Sequence, residues 1–148
     1  MKRTLAVLAT LALFSVSAFA GGLEDFLTSL NVQARADING YAAKVSAQFG
    51  VPLANVQATI GTVREPADAF MVYQLGRMTS KPPEMVVQTY QKNRGKGWGV
   101  IAKSLGIKPG SPAFHALKRG DFALTGAPAG VEGEGHGKGK GKGKGHNK

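Results

Sequence analysis

The chain has 148 residues, 43% of them hydrophobic, and its 19 Lys and Arg outnumber 9 Asp and Glu for a formal charge of +10. It contains no cysteine, which excludes a disulfide framework, a thiolate metal centre, a cysteine nucleophile and a lipid-modified cysteine anchor. The positive excess favours polyanionic partners such as nucleic acid, lipopolysaccharide, acidic wall polymer or anionic lipid, with a merely solubilising surface as the alternative.

Residues 1–20 read as an export signal. Lys2 and Arg3 precede an apolar run from Leu5 to Val16, and Ala18-Phe19-Ala20 fits the small-x-small rule for cleavage before Gly21. The run is about a dozen residues, short of the roughly twenty that span a bilayer. A mature chain beginning at Gly21 is therefore expected in the periplasm or outside the cell. It retains 17 Lys and Arg against 9 Asp and Glu, or +8.

From residue 21 to 121 the periodicity is helical, and an all-α domain of five or six helices is expected. Leu23, Phe26, Leu27, Leu30, Ala34, Ile38, Ala42 and Val45 recur at three and four residues, one stripe over 23–48 that Gly40 weakens or kinks. Gly50 and Pro52 end it. A short helix over 53–60 follows, and Glu65-Pro66 opens another with Phe70, Met71, Leu75 and Met78 on one side. Pro82 or Pro83 starts a helix running to Tyr90, Gly95-Lys96-Gly97 is a loop, and Trp98–Leu105 is helical up to Gly106. Ser111-Pro112 caps a last helix through Arg119. No stretch shows sustained two-residue alternation bounded by hairpin turns.

Three corners share a pattern of helix, proline turn and second helix, with Pro52, Pro82 and Pro109 spaced by 30 and 27 residues. Such units bury their apolar faces only against one another. Duplication and convergent turn chemistry both account for them. Composition then changes at about 121. Over 122–148 glycine dominates, alternating with Glu, His and Lys toward the end, so this stretch is expected to be a disordered tail.

The segment Trp98-Gly99-Val100-Ile101-Ala102-Lys103-Ser104-Leu105-Gly106-Ile107 resembles the first helix and turn of DNA-binding helix-turn-helix units, with a turn two residues longer through Lys108-Pro109-Gly110. Continued through Ser111 and Phe114-His115-Ala116-Leu117-Lys118, it is similar to a segment of small exported bacterial proteins of unassigned function. That resemblance implies an extracytoplasmic helical protein and carries over no catalytic residue.

Charge layout points to a binding surface. Between Glu84 and Asp121 there is no acidic residue, while Lys92, Arg94, Lys96, Lys103, Lys108, Lys118 and Arg119 fall within 28 residues. With Trp98 available for stacking or cation–π contact, these form the candidate polyanion site, and Lys138, Lys140, Lys142 and Lys144 extend it along the tail. Gly95, Gly97 and Gly99 offer backbone N–H groups for an anion nest. Alternatively Trp98 anchors the core and the lysines are solvated. His136 and His146 are candidate weak ligands for Ni²⁺ or Cu²⁺, and no cofactor is implied.

Nothing in the pattern builds a catalytic constellation. His115 is the one histidine within the helical region, Glu65 and Asp68 lie in a helix first turn, and no nucleophile elbow or phosphate loop occurs. The expectation is a binding module rather than an enzyme, or else a structural or protein-interaction domain with no specific polyanion ligand.

Overall fold

The computed structural model describes residues 21–128. These form seven helices and no strand: α1 (Gly22–Ala36), α2 (Ile38–Phe49), α3 (Leu53–Thr62), α4 (Pro66–Thr79), α5 (Pro83–Lys92), α6 (Trp98–Ser104) and α7 (Pro112–Arg119). The all-α expectation is met, with one helix more than the upper count. Among the described residues no helix is long and apolar enough to cross a membrane.

The extra helix arises where one stripe was expected over 23–48. The chain breaks at Asp37, whose extended backbone ends α1 and whose carboxylate accepts the Gly40 N–H at 2.8 Å to cap α2. Gly40 matters because a Cβ there would collide with that carboxylate. Periodicity hides the break, since Leu27, Leu30 and Ala34 before it and Tyr41, Ala42 and Val45 after it bury into the same core.

Helix α4 is the centre. Of the apolar side expected to carry Phe70, Met71, Leu75 and Met78, the first three are buried and Met78 partly so, and Ala67, Ala69, Val72, Tyr73 and Gly76 are buried as well. A helix apolar over most of its circumference is packed against by several neighbours. Here α1, α2, α3 and α5 pack on it, and α6 and α7 complete the bundle through contacts of α5 with α6, α6 with α7 and α7 with α1. At the last of these contacts backbones nearly touch. A Cβ on Gly22 would lie 2.6 Å from the Arg119 carbonyl oxygen, and one on Gly120 2.6 Å from that of Gly22.

The three proline corners share their hydrogen bonding. Gly50, Ser80 and Gly106 each have positive φ, and the residue after each donates its N–H five residues back: Val51 to Ser46 at 3.1 Å, Lys81 to Gly76 at 3.0 Å, Ile107 to Ala102 at 3.0 Å. Gly120 repeats the arrangement with Asp121 bonding to Ala116 at 3.0 Å.

The boundary expected at 121 moves. Residues 121–128 lie extended across the bundle, with Phe122 and Leu124 packed on the core. Phe122 meets Phe26 at 6.0 Å and Phe70 at 6.4 Å between ring centroids. Gln48, a buried side chain of α2, reads this strap as a neighbouring strand would. Its Nε2 donates to the Ala123 carbonyl at 2.8 Å, and its Oε1 accepts the N–H groups of Thr125 at 2.8 Å and Gly126 at 3.3 Å. Alternation at Phe122 and Leu124 is the signal for this strap, too short to stand out beside the glycines that follow. The remainder of the expected tail lies outside the described residues.

Candidate functional site

Polar groups converge first at the N-terminus of α4, where helix geometry leaves amides without intrahelical partners. Asn31 Oδ1 accepts the Ala67 N–H at 2.9 Å, and the Asp68 carboxylate accepts the Glu65 N–H at 3.1 Å. Asp68 also accepts the Tyr90 hydroxyl at 2.9 Å and the Trp98 indole N–H at 3.1 Å. Tyr41 donates to the Pro66 carbonyl at 2.7 Å, and Arg35 pairs with Glu65 at 3.2 Å across the surface. Asp68 thus does more than complement a helix dipole. It ties α4 to α5 and α6.

This cluster settles the place of Trp98. The indole is 7% exposed, stacked on Tyr90 at 5.3 Å between centroids, with its N–H on Asp68. Its inclusion among the ligand-facing residues is corrected: Trp98 fills the core, because one face meets Tyr90 and its polar atom is already used. Burial raises the Tyr41 phenol well above its ordinary value, opposed by the Phe70 backbone and aided by Asp68. Burial also raises Tyr90, which the Arg64 backbone N–H donated to its oxygen opposes and Asp68 reinforces. Both phenols stay protonated and serve as hydrogen-bond donors.

The cations stand elsewhere. Lys92 ends α5, Arg94 and Lys96 occupy the turn to α6, Lys103 lies on α6 and Lys108 in the turn to α7, all exposed. None of these five joins an ion pair among the described residues. Lys118 and Arg119 are exposed on α7, where Lys118 lies 6.0 Å from the centre of the Phe114 ring and Arg119 pairs with Asp121 at 2.7 Å. Burial alternates with charge along α6: Trp98, Ile101 and Ala102 point inward, and Lys103 is left outward. In the 93–97 turn, Gly95 and Gly97 have positive φ, but the Lys96 amide is taken by the Asn93 carbonyl at 3.0 Å, which reduces the nest.

Residues on both sides of the turn shape the corner between α6 and α7. Ala102 sits buried four residues before Gly106, Ile107 tucks in behind the turn, and Ser111 caps α7 by accepting the Phe114 N–H at 3.2 Å. Leu117 is the one buried side chain of α7, and His115, Lys118 and Arg119 face solvent. His115 has no carboxylate partner among the described residues, and no cluster of three or more metal-ligating side chains occurs there either. Lys138, Lys140, Lys142, Lys144, His136 and His146 lie outside the described residues.

No protein-family model, curated protein or solved structure matches the chain. Function is therefore inferred from these residues alone.

Proposed function

We propose that the chain is an exported helical module that engages an anionic polymer or surface through its 92–119 segment, with the Lys-rich tail extending the contact. The carrying observation is that Lys92, Arg94, Lys96, Lys103 and Lys108 are all exposed with no ion-pairing acid among the described residues. From residue 92 to 121 seven cations stand against Asp121 alone, whereas residues 21–91 hold five cations and six acids. The positive charge therefore belongs to one part of the fold. Sequence-independent phosphate or sulfate recognition needs nothing more elaborate than such a cationic end, and its strength falls with salt as counterions return.

Export rests on the basic start, apolar run and Ala18-Phe19-Ala20 site. Cleavage before Gly21 removes no residue of the seven helices, since α1 begins at Gly22. N-terminal sequencing of protein from the native cell, expected to begin at Gly21, checks this.

Retention on heparin, duplex DNA and anionic vesicles, eluted by a salt gradient, tests the binding reading. Retention above physiological salt on at least one support is expected, reduced when residues 131–148 are removed. Elution from all three below that salt, with no effect of the truncation, returns the chain to a structural or protein-interaction domain without a polyanion ligand.

A further inference from the structure

The outer helices close around α4 at every neighbouring pair but one. Helix α1 packs on α2 and α7, α2 on α3, α5 on α6 and α6 on α7, but between α3 and α5 the chain turns inward to form α4. The seam left there is a groove of about 590 Å³, a volume suited to a small organic ligand. Helix α3 contributes Ala58, Thr59 and Thr62, α5 contributes Glu84 and Val87, and the largely buried Tyr73 of α4 forms the base.

Hydroxyl and carboxylate oxygens give the groove its chemistry. Thr62 donates its hydroxyl to the Thr59 carbonyl at 2.9 Å, and Thr59 donates to the Asn55 carbonyl at 2.9 Å. The Thr59 and Tyr73 hydroxyls lie 2.9 Å apart, a contact in which either can be the donor. In either arrangement each of the three hydroxyl oxygens keeps a lone pair for an incoming donor. Glu84, the one charged side chain lining this groove, adds two more acceptor oxygens and joins no ion pair among the described residues. Its charge reaches the base of the groove: burial raises the Tyr73 phenol above its ordinary value and Glu84 adds to the rise, with the Thr59 bond acting in the opposite sense. The side-chain donors at the rim are the amides of Asn55 and Gln88, which can turn either end inward.

We propose that this groove binds an organic ammonium, an amine carried on an aliphatic chain. Its N–H donors meet Tyr73 and Glu84, and its apolar part lies against Val51, Ala58 and Val87. A second groove of about 290 Å³ continues past Val51 and Tyr73 toward Phe49, giving room for a longer chain. That extension carries Arg77 and Lys81 and does not share the ammonium preference. The site differs in place and in sign of charge from the cationic α6–α7 end, so its fate is independent of the polyanion reading.

Hexylammonium, hexanol and hexanoate share one alkyl chain and differ only in head group. Titrated into the full chain and followed by amide NMR, hexylammonium is expected to shift residues within 55–62 and 84–88. It should bind about tenfold more tightly than hexanol, the scale of a hydrogen bond to a charged group, with hexanoate weakest. Glu84→Gln is expected to bring hexylammonium down to the hexanol level and leave hexanol unchanged. Ala58→Phe, at an exposed position of α3, fills the groove and is expected to abolish all three responses, with an unchanged far-UV spectrum showing that the fold persists. The proposal is overturned if no saturable shift appears, if shifts fall outside the groove, if hexanoate binds as tightly as hexylammonium, or if Glu84→Gln keeps the ammonium preference.

Discussion

Helices α4 and α7 begin alike, with proline at the first helical position, and end alike, with a left-handed residue whose successor bonds five residues back. Between those ends they differ completely. Helix α4 buries eight of its fourteen residues and holds its neighbours through Asp68 and Arg77, while α7 buries Leu117 alone and leaves His115, Lys118 and Arg119 exposed. Terminal signals fix where a helix starts and stops. The residues between them decide whether it is enclosed as core or left as surface.

Breaking α4 should cost the most. Phe70 is fully buried and lies 5.2 Å from Phe26 and 5.4 Å from Phe49 between ring centroids, so Phe70→Ala is expected to lose about 3–5 kcal/mol in urea denaturation. Alkali acts on the same helix through Tyr41, whose phenol burial holds above its ordinary value. The unfolded chain releases that proton near pH 10 and the folded chain keeps it. Stability is therefore full below about pH 10 and declines as pH rises past it. Tyr41→Phe should flatten the decline, and identical alkaline slopes for the two proteins would remove Tyr41 from this account.

Trp98 sharpens the contrast, because its position in sequence belongs to the cationic end and its side chain belongs to α4. Trp98→Phe removes the indole N–H from Asp68 and is expected to cost about 1–3 kcal/mol while leaving heparin retention unchanged. The opposite pattern, weaker retention with undiminished stability, would place the indole on the ligand face after all. At the corners, Ser80 occupies a left-handed position where the other two hold glycine. Ser80→Gly should raise stability by about 0.5–1 kcal/mol. Gly50→Ala should lower it by about 1 kcal/mol from backbone strain alone, since no atom lies within 4 Å of the added methyl. The smallest stability effects belong to the exposed cations. Lys103→Gln and Lys108→Gln are expected to stay within about 0.5 kcal/mol of the parent, yet each that contacts an anionic group should reduce the salt slope of retention by about one.

Much of the helical layout was legible, because apolar residues at three- and four-residue spacing have one physical meaning and Gly-Pro corners punctuate them. Two features were hidden for different reasons. Asp37 breaks the first stripe without disturbing its phase, so periodicity alone reads one helix over 23–48. Gln48 and the strap at 121–128 are separated by more than seventy residues, and no local pattern announces a side-chain amide that will serve a distant backbone. The cations of the candidate polyanion site were countable from the chain, but Trp98 among them was not assignable, since a tryptophan opening an apolar stripe is equally consistent with core and with a stacking platform.

What the amino-acid order determined by itself is where helices run, where they stop and how charge is apportioned, since these depend on neighbours three to five residues away and on counting. What only tertiary structure decided is that α4 lies at the centre, that Asp68 gathers Tyr90 and Trp98, and that α3 and α5 stand apart with a groove between them. Those outcomes come from which faces meet after the chain turns inward, and contact between distant segments is a property of the packed whole.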